Sequence, residues 1–276
     1  MALLVALAGL CGGCGEDSAW LVADGVAWRQ VTVKARGTDL VTVDLFVDAN
    51  HAGPADLPAD QRLPGLVLCP GGLVEPAQYA WLARRLAARG FAVAIAHFPS
   101  NLGLLAQDNA QVARRLLTQG SSAATVPALA ALGRVAVAGH SLGAVVAAAV
   151  ATDGGFAALV LLAGYAAAGD PVETLKIPAL SVAGEVDCSA PLAQVRAGWL
   201  RLPPGALLAV VQGLSHYGFA DSLAPDVKGG CPHPLALEVG HERVGAAVEQ
   251  FLRRALIDPA LPMPGGITGV TWEVRP

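Results

Sequence analysis

Charge is scarce in this chain: Asp, Glu, Lys and Arg make up 14% of its 276 residues, against roughly 25% in an ordinary globular domain. With 54% of residues hydrophobic, disorder and charge-driven binding modules are excluded. Basic clusters are missing too, nothing exceeding pairs such as Arg84-Arg85 and Arg114-Arg115, and the formal net charge is −4. A chain without a basic face cannot neutralise phosphates, so no nucleic-acid partner is expected. The 32 Gly and 19 Pro fall short of the level at which low-complexity disorder becomes the better reading, about 25–30% of residues. No apolar run approaches the roughly 20 residues that span a bilayer. No Pro/Ser/Gly-rich linker divides the middle of the chain, and no internal repeat is found. No Cys/His set shows metal-ligand spacing, so neither a metal nor an organic cofactor is implied. What remains is one compact domain with a large buried core, a size that α/β folds use as a single unit of about 250 residues.

The N-terminus carries a separate signal. Residues 2 to 10 form an apolar run that stops at Cys11-Gly-Gly-Cys14. Its length suits the apolar region of a signal peptide, and a Cys after small residues resembles a bacterial lipoprotein cleavage site, with Cys14 as the lipidated residue. On this reading residues 1 to 18 are a leader and the protein is exported, periplasmic or held to the membrane by an N-terminal lipid. The competing reading is an N-terminal segment of a cytoplasmic protein. Without the leader, Cys69, Cys188 and Cys231 remain. Cys69 ends the apolar stretch Leu66-Val-Leu-Cys69 and reads as a buried small hydrophobe. Cys188 and Cys231 lie in polar loops and are the candidate disulfide of an exported protein.

Residues 26 to 34 and 39 to 48 alternate apolar and polar with period two, the pattern of an antiparallel pair with one wet face. From residue 65 the pattern changes to short continuous apolar runs: 65 to 69, 91 to 96, 133 to 138, 157 to 163, 177 to 183 and 206 to 212. Such runs suit strands buried on both faces. Helical periodicity fills the gaps, at 76 to 89, 104 to 118, 142 to 151, 189 to 200 and 238 to 256. Alternation of this kind predicts a parallel sheet wound by right-handed crossovers, a three-layer α/β/α sandwich with eight mostly parallel strands. The domain is expected to span residues 19 to 257, with 258 to 276 an irregular tail ending in a strand-like Val-Thr-Trp-Glu-Val.

The chemistry concentrates at Gly139-His140-Ser141-Leu142-Gly143, a G-x-S-x-G between an apolar strand and an Ala/Val-rich helix, which is the context of a nucleophile elbow. A serine hydroxyl needs a base, and the base needs an orienting acid. In this architecture the chain order is Ser, acid, His. Of the downstream histidines His216, His233 and His241, His216 lies in the loop just past the last apolar strand and is the candidate base. Asp187 follows the strand at 177 to 183 and is the candidate acid, with Glu185 and Asp170 as substitutes. His140 reads as a packed elbow residue rather than a second base. The oxyanion donors are expected from the backbone N–H of Leu142 and of the loop Pro70-Gly71-Gly72-Leu73, with Gly72 first and Leu73 second.

These residues resemble the α/β-hydrolase superfamily over about 62 to 255. The resemblance rests on Pro70-Gly-Gly72, Gly139-His-Ser141-Leu-Gly143, Gly184-x-x-Asp187-x-x-x-Pro191 and Ser215-His216-Tyr-Gly-Phe. The branch known as α/β-hydrolase fold 5 is the most similar, through Pro70-Gly-Gly-x-Val-x-Pro-x-x-Tyr79 and Phe98-Pro-Ser-Asn101-Leu. Dienelactone hydrolases and the polyester hydrolases of cutinase type are more distant, and Ser141 stands where dienelactone hydrolases carry Cys. The resemblance implies a serine esterase acting on a small-molecule carboxylic ester through an acyl-enzyme. An acyltransferase and a non-catalytic binding protein of the same fold are the alternatives. Only about a dozen residues separate the strand ending near Gly164 from the one starting near Ile177, too few for a large cap domain. The cleft is therefore expected to be open, with Leu73, His97 and Phe98 as candidate substrate contacts beside Asn101 and Leu102.

Overall fold

The computed structural model describes residues 19–35, 39–53, 57–221 and 233–276. Cys11, Cys14 and Cys231 lie outside these residues. Among the described residues, ten strands form one sheet: β1 (Leu21–Ala23), β2 (Val26–Lys34), β3 (Leu40–Asp48), β4 (Leu63–Cys69), β5 (Ala92–Ala96), β6 (Ala130–His140), β7 (Ala158–Leu162), β8 (Ala179–Gly184), β9 (Leu207–Val211) and β10 (Val270–Val274). Their spatial order is β1-β2-β3-β5-β4-β6-β7-β8-β9-β10. Strands β4 to β9 run parallel, while β1, β2, β3 and β10 join antiparallel.

The eight strands expected from apolar patterning are thus ten. β1 is three exposed residues, too short to show a period. β10 comes from the tail beyond residue 257 and pairs along β9 from Val270↔Val211 to Val274↔Leu207, which makes that segment part of the sheet. The single wet face expected for the first pair is also narrower than alternation suggests. β3 lies between β2 and β5 and is buried from Val43 to Val47, so exposed positions concentrate on β2.

Among the described residues, five helices, α1 (Ala80–Ala87), α2 (Asp108–Gln119), α3 (Leu142–Thr152), α4 (Leu192–Trp199) and α5 (Leu237–Leu256), cover the two faces. The expected helix at 76 to 89 opens as a 3-10 turn, Pro76–Tyr79, and that at 104 to 118 begins later because Gly103–Leu105 is a separate 3-10 turn. α1 and α5 pack with Leu66, Leu68, Ala136 and Ala138 on one face. α2, α3 and α4 pack with Val67, Cys69, Val135 and Val137 on the other. Alternate residues of β4 and β6 therefore point to opposite faces and both sets are buried, which is why these strands read as continuous apolar runs. Cys69 is buried and free, and burial pushes its thiol up to about 12. Between β7 and β8, residues 163 to 178 hold the 3-10 turn Val172–Thr174 and no α-helix. Among the described residues, that connection adds no α-helical cap. Among the described residues, no helix is long and apolar enough to cross a membrane.

Candidate active site

The site is assembled where β4, β6, β8 and β9 end. β6 runs into Ser141, whose backbone sits at φ 53°, ψ −119°, and α3 starts at the next residue. A non-glycine residue in this region is strained and persists only where its surroundings hold it. The Ser141 N–H donates to the Leu162 carbonyl at 2.9 Å, and the Ala144 N–H donates back to the Ser141 carbonyl at 2.9 Å. The flanking glycines act through close approach rather than through a left-handed backbone. A Cβ on Gly139 would collide with the Gly143 carbonyl, and one on Gly143 with the carbonyls of Cys69 and Pro70. Strand, elbow and the end of β4 can thus pack backbone against backbone.

Beyond β8, Asp187 is buried, with 0% side-chain exposure. Its Oδ1 accepts from the N–H groups of Ser189 and Ala190, each at 2.8 Å. That leaves Oδ2, which lies 2.8 Å from His216 Nδ1. On the far side of the imidazole, Nε2 is 2.9 Å from Ser141 Oγ. A carboxylate only accepts, so Nδ1 carries the proton and the Nε2 lone pair faces the serine hydroxyl. Ser141, His216 and Asp187 are brought together as one hydrogen-bonded chain. The two substitute acids are engaged elsewhere: Glu185 Oε2 accepts from the Gly213 N–H at 3.0 Å, and Asp170 Oδ2 from the Ala167 N–H at 3.2 Å. The other downstream histidines are occupied as well. His233 Nδ1 bonds the Ser215 hydroxyl, and His241 stacks on Trp81 with ring centroids 3.9 Å apart.

The loop after β4 supplies backbone donors. Gly71 N–H donates to the Tyr79 hydroxyl at 2.9 Å, and Leu73 N–H to the Asn101 carbonyl at 2.8 Å. Gly71 and Leu73, the two neighbours of Gly72, thus have their N–H groups engaged within the protein. A Cβ on Gly72 would lie 3.0 Å from Leu142 Cδ2, so the loop and the first residue of α3 are adjacent. Leu142, as the first helical residue, has no intrahelical acceptor for its N–H. The loop is held from outside by a second strained turn: Leu73, Ser100 and Asn101 have φ of 61°, 52° and 55°, and Asn101 Nδ2 donates to Glu75 Oε1 at 2.8 Å.

The remaining candidates fall in different places. Leu73 is 75% exposed beside Gly72. His97 Nε2 is 2.9 Å from Asp44 Oδ2, and Phe98 is buried in the core shared with α2 and α3. Cys188 is disulfide-bonded, whereas Cys231 lies outside the described residues. Sequence reasoning named Tyr79 only as part of a motif and gave it no role; its hydroxyl reaches both Gly71 and, at 2.8 Å, His140 Nδ1. Its signal was the Tyr nine residues after Pro70, but nothing local linked it to residue 140.

Residues 65–223, more than half of the chain, match the family model described as the alpha/beta hydrolase family. A search of curated proteins finds no match.

Proposed function

The chain belongs to the α/β-hydrolase family, and from that premise we propose that it is a serine hydrolase cleaving carboxylic esters through an acyl-enzyme. The reading is carried by the unbroken chain Ser141 Oγ, His216 Nε2, His216 Nδ1 and Asp187 Oδ2, with links of 2.9 and 2.8 Å. Ser141 attacks the ester carbonyl carbon while its proton passes to His216 Nε2. Asp187 holds the Nδ1–H tautomer and stabilises the imidazolium. The tetrahedral oxyanion receives the N–H groups of Leu142 and Gly72, and the loss of such a donor typically costs about 10²–10³ in rate. Collapse expels the alcohol, which takes the proton from His216. Water then repeats the sequence on the acyl-enzyme, with His216 again as base, and releases the acid.

The absence of an α-helical cap between β7 and β8 favours a water-accessible acyl-enzyme, hence hydrolysis over acyl transfer. A fluorophosphonate probe followed by peptide mapping tests the nucleophile. A single adduct on Ser141, absent in Ser141→Ala, is expected. No adduct in the wild type would favour a non-catalytic binding protein instead.

A further inference from the structure

The mechanism leaves one buried imidazole without a task. His140 is 1% exposed and directly precedes the nucleophile, its ring 4.8 Å from that of His216. Tyr79, at 0% exposure, lies against it. Proton counting defines what these groups do. The Gly71 N–H donates to the Tyr79 oxygen at 2.9 Å. The single phenol proton is then directed at His140 Nδ1, 2.8 Å away. On the other side of the ring, Nε2 is 3.1 Å from the His216 carbonyl oxygen, which can only accept. Nε2 therefore carries the hydrogen and Nδ1 the lone pair.

We propose that Tyr79 and His140 are a positioning pair: a hydrogen-bonded relay from Gly71 N–H through Tyr79 O–H and His140 Nε2–H to the His216 carbonyl, fixing the oxyanion loop relative to the base. It rests on the serine-hydrolase reading above. The relay ties together three segments that the chain supplies separately. Gly71 precedes the donor Gly72, His140 precedes Ser141, and the far end grips the main chain of the base itself. No other arrangement of one phenol proton and one imidazole proton makes all three bonds. A protonated ring would present Nδ1–H to the phenol and displace its proton from a buried acceptor, a costly loss. In keeping with this, burial and the adjacent His216 hold His140 well below the ordinary histidine range. Displacements near 1 Å in a catalytic group can cost about 10² in rate, so the relay has leverage on turnover without touching substrate.

The test has two arms. In the first, kcat and KM for p-nitrophenyl acetate are measured per titrated active site in the wild type, Tyr79→Phe, His140→Leu and the double variant. The relay predicts kcat lower by about 10–100-fold in each single variant, KM within about threefold, and a double variant no worse than the poorer single. Unchanged kcat per active site, or multiplying effects, overturns it, because a purely structural pair would reduce folded protein and leave each folded site at full speed. In the second arm, ring ¹⁵N spectra of wild-type protein should show His140 as the neutral Nε2–H tautomer from pH 5 to 9. An Nδ1–H tautomer, or titration near the ordinary histidine value, overturns the relay whatever the turnover. A wild type inert toward esters overturns the hydrolase reading, and the relay then stands or falls on the ring nitrogens.

Discussion

Replacing Asp187 with Asn isolates the acid's role because its surroundings dictate how the amide must sit. The N–H groups of Ser189 and Ala190 both point at Oδ1, so the Asn oxygen must take that place. The amide NH₂ is then directed at His216 Nδ1, 2.8 Å away in the wild type. A donor facing Nδ1 forces that nitrogen to accept, and the imidazole proton moves to Nε2. There it points at Ser141 Oγ, where the base needs a lone pair. Every hydrogen bond is retained while the base is held in the wrong tautomer. The expected loss in kcat is about 10⁴, equivalent to about 5.4 kcal/mol of barrier at 1.36 kcal/mol per decade. Thermal unfolding should shift by no more than a few degrees. Steady-state turnover of a p-nitrophenyl ester, with melting followed by circular dichroism, measures both. An Asp187→Asn enzyme within tenfold of wild type would refute this reasoning and return the role to Glu185 or Asp170.

The elbow makes its own prediction: in Gly143→Ala the new methyl meets the carbonyls of Cys69 and Pro70, backbone that cannot swing aside. A cost of at least about 3 kcal/mol is expected, or roughly 6–12 °C in Tm at about 2–4 °C per kcal/mol, and a normal Tm would contradict the close-packing account. Stability should also depend on pH through His140. The folded protein keeps it neutral while the unfolded chain binds a proton below about pH 6.5, so stability falls as pH drops below that value, by up to about 1.4 kcal/mol per pH unit from this group alone. Urea unfolding between pH 4.5 and 8 should show a shallower acid slope in His140→Asn than in the wild type. Parallel profiles would contradict the assignment.

Much of the site was legible because its parts are local. Gly139-His140-Ser141-Leu142-Gly143 carries its meaning in five residues between a buried strand and a helix, and the candidate acid and base each follow an apolar run at a strand's end. The glycines were legible as a turn, but the backbone approach of Gly143 to Cys69 and Pro70 depends on the register β4 makes with β6, Cys69↔Gly139, which no local pattern encodes. Likewise the contacts of Tyr79 with His140 and of His140 with His216 span 61 and 76 residues. Side-chain pairs at that separation follow only once the parallel strand order is known. The sheet's margins were less legible than its centre. β1 is too short to carry a period, and β10 is a partly exposed edge strand in a Pro/Gly-rich segment, so neither shows the apolar run that marks β4 to β9. His97 and Phe98 illustrate the same limit: their position after β5 suggested the cleft, and only the partners Asp44 and the core beside α3 show what their side chains touch.

The central claim is that Ser141 is the nucleophile of an ester hydrolase. Its most direct measurement is turnover of a p-nitrophenyl ester series, from acetyl to long acyl chains, by the wild type and by Ser141→Ala in parallel. The account predicts hydrolysis by the wild type and none above background by the variant, at equal folded concentration. Equal rates in the two proteins, or a wild type inert across the series, would contradict it.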